Sequence, residues 1–91
     1  MTDLPSLEPN VLSRLQSLER EAILLADSNQ FQESLVKLDQ VLAICPRYAS
    51  GLNNRAQVYR LNGQFALAMT DLDDALQYAP SQDILAKVLC I

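Results

Sequence analysis

Histidine and tryptophan are absent from this 91-residue chain, and glycine and cysteine occur only twice each. Without histidine the sequence lacks the commonest general base and the commonest metal ligand. Two glycines and 5% aromatic residues disfavour β-sandwiches, β-barrels and glycine-rich nucleotide folds. The net charge is −4, so the basic patch of a protein that binds nucleic acid or an anionic membrane is missing. We therefore expect a small acidic protein with no catalytic residue, no cofactor and no metal site.

The two cysteines, Cys45 and Cys90, form no CxxC motif and are too few for the disulfide framework of a small secreted domain. No apolar run approaches the ~20 residues that span a bilayer. The segment Met1–Pro5 lacks the positive charge and the apolar core of a signal peptide. These observations predict a cytoplasmic location, with the nucleus as a second intracellular compartment. They also predict two reduced thiols that pack as small hydrophobic residues.

Apolar residues recur at helical spacing along most of the chain, and no useful length alternates with a period of two. Residues 1–10 hold Pro5 and Pro9 and show no such periodicity, so we expect a flexible N-terminal leader there. Turn residues and prolines separate five predicted helices, at 11–28, 31–45, 49–62, 65–79 and 82–90. Pro46 and Pro80 are expected to end the second and the fourth of them. The sequence therefore predicts an all-α fold.

An internal repeat is the most informative feature of the sequence. The numbers of Pro46 and Pro80 differ by 34 (80 − 46), and this repeat offset also superposes several residues of the first half on the second. These pairs are Leu18 and Leu52, Ala22 and Ala56, Gln30 and Gln64, Phe31 and Phe65, Leu38 and Leu72, and Leu42 and Leu76. A helix–turn–helix unit with this period is the signature of the tetratricopeptide repeat. Its small residue lets the two helices of a hairpin approach closely.

Residues 15–48 and 49–82 resemble two successive tetratricopeptide repeats. The second copy matches the family pattern at Leu52, Ala56, Tyr59, Gly63, Ala68, Leu72, Ala75 and Pro80. The first copy matches it at Leu18, Ala22, Leu38 and Pro46, and departs from it at Leu25, Asn29, Ser34 and Val41. The resemblance implies a right-handed superhelical stack of antiparallel helix hairpins. The domain would cover residues 11–91, with residues 83–91 as a partial third unit or a capping helix.

The resemblance also implies where a partner binds, because the first helix of each repeat lines the concave surface of such a stack. The residues expected on that surface are Glu19, Ile23, Asn53, Asn54, Gln57 and Arg60, flanked by Gln16, Ala26, Asp27 and Ser50. Amide side chains offer both donors and acceptors, which suits the backbone of an extended peptide. An ordinary solvated helix face is the alternative interpretation of the same residues.

Some members of the family clamp the C-terminal carboxylate of a chaperone with basic and asparagine residues. Asn54 matches one position of that pattern, but Glu19 and Ile23 stand where a lysine and an asparagine are needed. A carboxylate that faced Glu19 would be repelled. The partner we expect is therefore a protein or peptide, with a chaperone or a metabolic enzyme among the classes considered, bound without this clamp.

Asp71, Asp73 and Asp74 form the acidic cluster that could be tested as a metal or acid–base site. Neighbouring positions of one helix point in different directions, and no calcium-loop glycine follows them. We therefore expect a solvated convex face here.

Two functions are compatible with these patterns. The first is a non-catalytic protein–protein interaction adaptor that binds a peptide or protein partner on its concave surface. The second is a truncated isoform or structural module that self-associates as a homodimer through an exposed C-terminal helix. That helix would lie within residues 83–91, where Ile84 and Ile91 share one face and lack a natural partner. A dilution series separates the two, because only the second predicts a concentration-dependent mass.

Overall fold

The structure, a computed structural model, describes the backbone of residues 9–85 and the side chains of residues 11–78. It contains the helices α1 (Pro9–Asp27), α2 (Phe31–Ile44), α3 (Ala49–Leu61) and α4 (Phe65–Leu85). No strand occurs in this part of the chain, so the predicted all-α fold is confirmed. Each helix packs on the next, and α1 also contacts α3. This order is that of two stacked helix hairpins, α1–α2 and α3–α4. The handedness of the stack and the repeat boundaries stay predictions.

The two hairpins turn by the same device. Asn29 follows α1 with φ 64° and Gly63 follows α3 with φ 80°, and both lie in the left-handed region. In each turn the backbone N–H of the next residue donates to a carbonyl of the preceding helix at 2.8 Å. Asparagine and glycine are the residues that adopt this conformation at least cost. The substitution of Asn29 for the turn glycine therefore preserves the hairpin.

Ser34 fastens α2 to α1. Its side chain is fully buried, and its hydroxyl donates a hydrogen bond of 2.7 Å to the carbonyl oxygen of Ala22. Because Ala22 has a small side chain, the two helices approach closely enough for this bond. A buried hydroxyl is costly only when it has no partner. Ser34 is therefore accommodated at a position where the family pattern has alanine.

Helix α3 covers the apolar surface of the first hairpin. One core cluster contains Leu15, Val41, Leu42, Cys45, Tyr48, Ala49, Leu52 and Ala75. A second cluster contains Ala22, Ala26, Leu35, Leu38 and Val58. Both clusters combine residues of α1 and α2 with residues of α3 or the turn before it. The contact between the two hairpins is thus part of the hydrophobic core.

Gly51 lies at the closest contact between α3 and α2. A Cβ atom at this position would lie 2.9 Å from Val41 Cγ1 and 3.3 Å from Leu42 Cδ2. Non-bonded carbon atoms normally keep ~3.5–4.0 Å apart. The missing side chain of Gly51 therefore allows the two hairpins to pack at this distance.

Helix α4 shows that the prediction of separate helices at 65–79 and 82–90 is wrong. It runs without a break from Phe65 to Leu85 and passes through Pro80. Proline removes one backbone donor and weakens a helix without necessarily ending it. Neither glycine nor asparagine follows Gly63 in the sequence, so no residue suited to a left-handed helix cap favours a turn there. The remainder of the predicted fifth helix, residues 86–91, lies outside the described residues, as do residues 1–8 of the predicted leader.

Cys45 differs from the expectation of a reduced thiol. Its side chain is buried in the core, and the residue is disulfide-bonded rather than free. A packed thiol and one half of a disulfide are both compact and apolar, so the hydrophobic pattern did not distinguish them. Cys90 lies outside the described residues.

Candidate functional site

Glu19 is held between the two hairpins. The residue is only 8% exposed. Its Oε2 accepts hydrogen bonds from Ser50 Oγ at 2.7 Å and from Asn54 Nδ2 at 3.0 Å, and its Oε1 accepts one from the Tyr48 hydroxyl at 3.3 Å. A buried carboxylate is stable only when donors satisfy it, and all three donors come from the start of α3 or the residue before it. The Glu19 carboxylate therefore joins α1 to α3.

Tyr48 remains a donor to this carboxylate at neutral pH. Burial raises the pKa of its hydroxyl, and the charge of the Glu19 carboxylate raises that pKa further. A hydroxyl with a raised pKa keeps its proton to a higher pH than a free tyrosine does. The hydrogen bond from Tyr48 to Glu19 is thus present over the whole physiological pH range.

Glu19→Gln is expected to lower the free energy of unfolding by about 1–3 kcal/mol. The amide keeps one acceptor oxygen but directs an NH₂ group at donors that need an acceptor. Glu21→Gln is the matched control, because Glu21 lies on the same helix with its side chain 53% exposed, and we expect a loss below about 1 kcal/mol there. Urea unfolding measures both values. Equal losses for the two variants would contradict the role given to Glu19.

On α3, two of the predicted groove residues bind each other. Gln57 Oε1 accepts hydrogen bonds from Arg60 Nη2 at 3.0 Å and from Arg60 Nε at 3.3 Å. Asn54 is occupied by Glu19 at 3.0 Å. These four residues are therefore brought together as two hydrogen-bonded pairs, Glu19 with Asn54 and Gln57 with Arg60.

The remaining groove residues are open to solvent. Ile23 is 47% exposed on α1, and Asn53 and Arg60 are exposed on α3. Among the flanking positions, Gln16 and Asp27 are exposed and Ala26 belongs to the core. Ile23, Asn53 and Arg60 are consequently the predicted site residues best placed to meet a partner.

Arg55 organises a charged cluster that the sequence analysis missed. Its Nε and Nη2 donate to Asp71 Oδ2 at 2.7 Å and Asp71 Oδ1 at 2.9 Å, and its Nη1 donates to Asp39 Oδ1 at 3.0 Å. The guanidinium also lies 5.6 Å from the ring centroid of Tyr59. Hydrogen bonding to Asp71 raises the pKa of Arg55 against the opposing effect of burial. One side chain thereby connects α2, α3 and α4.

Asp71 is 3% exposed, so the expectation of a solvated face is wrong for this residue. A carboxylate is buried only when it is paired and hydrogen-bonded, and the two-pronged contact with Arg55 supplies that pairing. Asp73, two positions along α4, is exposed as expected. Within the described residues, no group of three or more potential ligands is placed to hold a metal ion.

The first hairpin contains the same ion pair with its charges exchanged. Lys37 Nζ lies 3.1 Å from Glu21 Oε1. The repeat offset relates Glu21 to Arg55 (55 − 21 = 34) and Lys37 to Asp71 (71 − 37 = 34). Comparing charges at this offset, rather than apolar residues alone, would have identified both pairs from the sequence.

A pocket of about 270 Å³ opens at the end of the second hairpin, lined by Ala49, Ser50, Asn53, Leu72, Ala75 and Leu76. The equivalent positions of the first hairpin, one repeat offset earlier, are Leu15, Gln16, Glu19, Leu38, Val41 and Leu42. The apolar members of that earlier set are buried in the core that α3 covers. The pocket is therefore the counterpart, on the second hairpin, of the surface where the second hairpin packs on the first.

Curated proteins of several animals are similar to this chain. A relative from Caenorhabditis elegans is 42% identical over 62 residues, which cover 68% of this chain and 35% of the relative. A human relative is 33% identical over 76 residues, which cover 84% of this chain and 40% of the relative. A relative from Drosophila melanogaster is 36% identical over 88 residues, which cover 94% of this chain and 47% of the relative.

These similarities, together with the repeated hairpin, show that the chain belongs to the tetratricopeptide repeat proteins. Proteins of this class are helical repeat proteins that usually take part in protein interactions. The worm and human relatives are both named tetratricopeptide repeat protein 36, and the fly relative is its homolog.

The chain spans about a third to a half of the length of these curated relatives. No protein-family model matches the sequence, and no solved structure is similar to it. Among the described residues, none of the helices has the length and hydrophobicity required to cross a bilayer.

Proposed function

We propose that this protein is a non-catalytic adaptor that binds a peptide or protein partner across exposed residues of α1 and α3. Ile23, Asn53 and Arg60 are the contact residues of this proposal, and Gln57 supports Arg60. A cytoplasmic or nuclear location accompanies the proposal. Self-association through residues 83–91, the alternative function, stays a prediction, because the side chains of that segment lie outside the described residues.

The exposure of these side chains is the observation that supports the proposal. The two hairpins are joined by Glu19 and its donors Tyr48, Ser50 and Asn54, whereas the side chains of Asn53 and Arg60 remain exposed. An exposed apolar residue beside polar ones, Ile23 here, suits a partner that buries one hydrophobic side chain and hydrogen-bonds through its backbone. Because polar contacts of this kind exchange with water, we expect a micromolar rather than a nanomolar dissociation constant.

The double variant Ile23→Asp/Arg60→Glu is expected to abolish capture of the partner while leaving the melting temperature nearly unchanged, since both side chains are exposed. Affinity capture followed by mass spectrometry, with thermal denaturation of each variant, measures the two effects. Val36→Asp is the matched control, because Val36 is 53% exposed on α2, away from the proposed contact residues. Asn54 is unsuitable as a test position, since removing it also takes a donor from Glu19. Undiminished capture by the double variant would reject the proposed surface.

A further inference from the structure

Helix α4 presents an exposed apolar stripe at the end of the second hairpin. Phe65, Met69 and Leu76 are 63%, 58% and 73% exposed, and Leu72 is half-buried. Their spacing of four, three and four residues puts them on one face of the helix. The equivalent residues of α2, one repeat offset earlier, are Phe31, Leu35, Leu38 and Leu42. Three of those are buried and Phe31 is half-buried, so the same stripe is covered on the first hairpin and exposed on the second.

Helix α3 is what covers the stripe of the first hairpin. Val58 belongs to the same core cluster as Leu35 and Leu38, and Leu52 to the same cluster as Leu42. The contact between the hairpins therefore shows what kind of element fits such a stripe. It is one amphipathic helix of about the length of α3.

The end of the second hairpin has more room than its counterpart on the first. Ala49 and Ala75 stand where the first hairpin has Leu15 and Val41, and the pocket of about 270 Å³ opens between them and Leu76. On the first hairpin the incoming helix must carry glycine at residue 51, because a Cβ atom would lie 2.9 Å from Val41 Cγ1. With alanine in place of valine that obstruction is absent. A helix docking here can insert an apolar side chain at the position that Gly51 occupies in α3.

The charge beside the stripe has a counterpart in the known contact as well. Asp39 accepts a hydrogen bond of 3.0 Å from Arg55, which stands four residues after Gly51. The residue equivalent to Asp39 is Asp73 (39 + 34). Asp73 is exposed and forms no ion pair with any other described side chain. A helix seated like α3 would bring a residue to Asp73 where α3 has Arg55.

We propose that this surface, the terminal face (Phe65, Met69, Leu72, Leu76 and Asp73 with the adjoining pocket), docks an amphipathic helix of another polypeptide. That helix carries a large apolar side chain where α3 has Gly51 and an arginine or lysine four residues later. The proposal is independent of the adaptor surface proposed above, since it uses the end of the stack.

A second copy of this chain fits the terminal face less well. In a head-to-tail arrangement α1 would be the incoming helix, with Ser17 and Glu21 at the positions of Gly51 and Arg55 (17 + 34 and 21 + 34). Ser17 would leave the pocket largely empty, and Glu21 would face the like charge of Asp73. Like charges opposed across an interface suppress association. These two mismatches favour a partner helix of basic character.

A fluorescent peptide made from residues 47–61 of this chain, with Gly51→Leu, is the probe for the terminal face. The added side chain excludes the peptide from the Val41 surface and fills the pocket. Fluorescence anisotropy with the full chain is expected to show saturable binding. Leu76→Asp and Asp73→Lys should each weaken it by about tenfold or more, whereas Val36→Asp and Asp74→Lys, the matched controls, should leave it unchanged.

A charge exchange tests the pairing directly. The same peptide with Arg55→Glu in addition is expected to bind the wild-type chain about tenfold more weakly and to regain affinity for the Asp73→Lys chain. Ile23→Asp/Arg60→Glu should bind both peptides as the wild type does, so failure of the adaptor surface and failure of the terminal face are distinguishable. The proposal is overturned if Leu76→Asp and Asp73→Lys bind the peptide normally, or if the affinity does not follow the charge exchange.

The other occupants of the terminal face give different results. A concentration-dependent mass of the wild-type chain in sedimentation, abolished by Leu76→Asp, would assign the face to a second copy. Strong hydrogen-exchange protection of the exposed side of α4 in a dilute monomer that binds no peptide would assign it to the chain itself. Either result overturns the proposal.

Discussion

Leu38→Ala is expected to lower the free energy of unfolding by about 2–5 kcal/mol, whereas Leu72→Ala should lower it by well under half as much. The two leucines occupy equivalent positions in the two hairpins, one repeat offset apart. Leu38 is fully buried beneath α3, but Leu72 is half-buried and lines the open pocket. Water already reaches the side chain at 72, so truncation there removes less buried surface and leaves no enclosed cavity.

Urea denaturation of the two variants measures this difference. A small helical domain has a total stability of only about 5 kcal/mol, so Leu38→Ala can leave too little folded protein for analysis. Leu38→Val and Leu72→Val then give the same order with smaller losses. Equal destabilisation at the two positions would show that Leu72 is covered in solution, and that the end of the second hairpin is not open.

Asp71→Asn is expected to destabilise the protein by about 3–5 kcal/mol, because it leaves the Arg55 guanidinium without its principal partner in a mostly buried place. The Asp71 side chain is 5% exposed, whereas that of Asp39, the second partner of Arg55, is 59% exposed. Asp39→Asn should therefore cost less than about 1 kcal/mol. Thermal and urea unfolding of both variants measure the contrast.

A double variant separates the worth of this ion pair from the cost of breaking it. In Arg55→Met/Asp71→Leu no unpaired buried charge remains, and replacing a buried pair by apolar residues is often close to neutral. We expect the double variant to be more stable than Asp71→Asn. A double variant less stable than that single one would contradict this account, since the pair would then be worth more than the desolvation of its charges.

Features that depend on one residue type at one place could be predicted from the sequence. The turns after α1 and α3 follow from Asn29 and Gly63, whose left-handed conformation few other residues adopt. The close helix contacts follow from Ala22 and Ala56, which are both buried. Such features are local, so the repeat offset sufficed to find them in both copies.

Features that depend on which side chains meet in space could not be predicted in this way. Glu19 has the character of a solvent-facing helix residue until three donors from the second hairpin surround it. Asp71 looks like Asp73 in sequence and differs from it only because Arg55 lies opposite. At Pro80 the prediction of a helix end was wrong, because proline disfavours a helix without supplying the turn that ends one.

The exchange of charges between the two hairpins has a consequence for how the chain folds. Two nearly equivalent hairpins risk pairing in the wrong combination, because the helices of one resemble the helices of the other. If α1 paired with α4, Glu21 would meet Asp71, and if α3 took the place of α1 on α2, Arg55 would meet Lys37. Each exchanged pairing sets like charges against each other in a contact where the native pairing sets opposite ones. The alternation of sign thus gives each first helix an electrostatic reason to fold back on its own neighbour, before any of the packing between hairpins has formed.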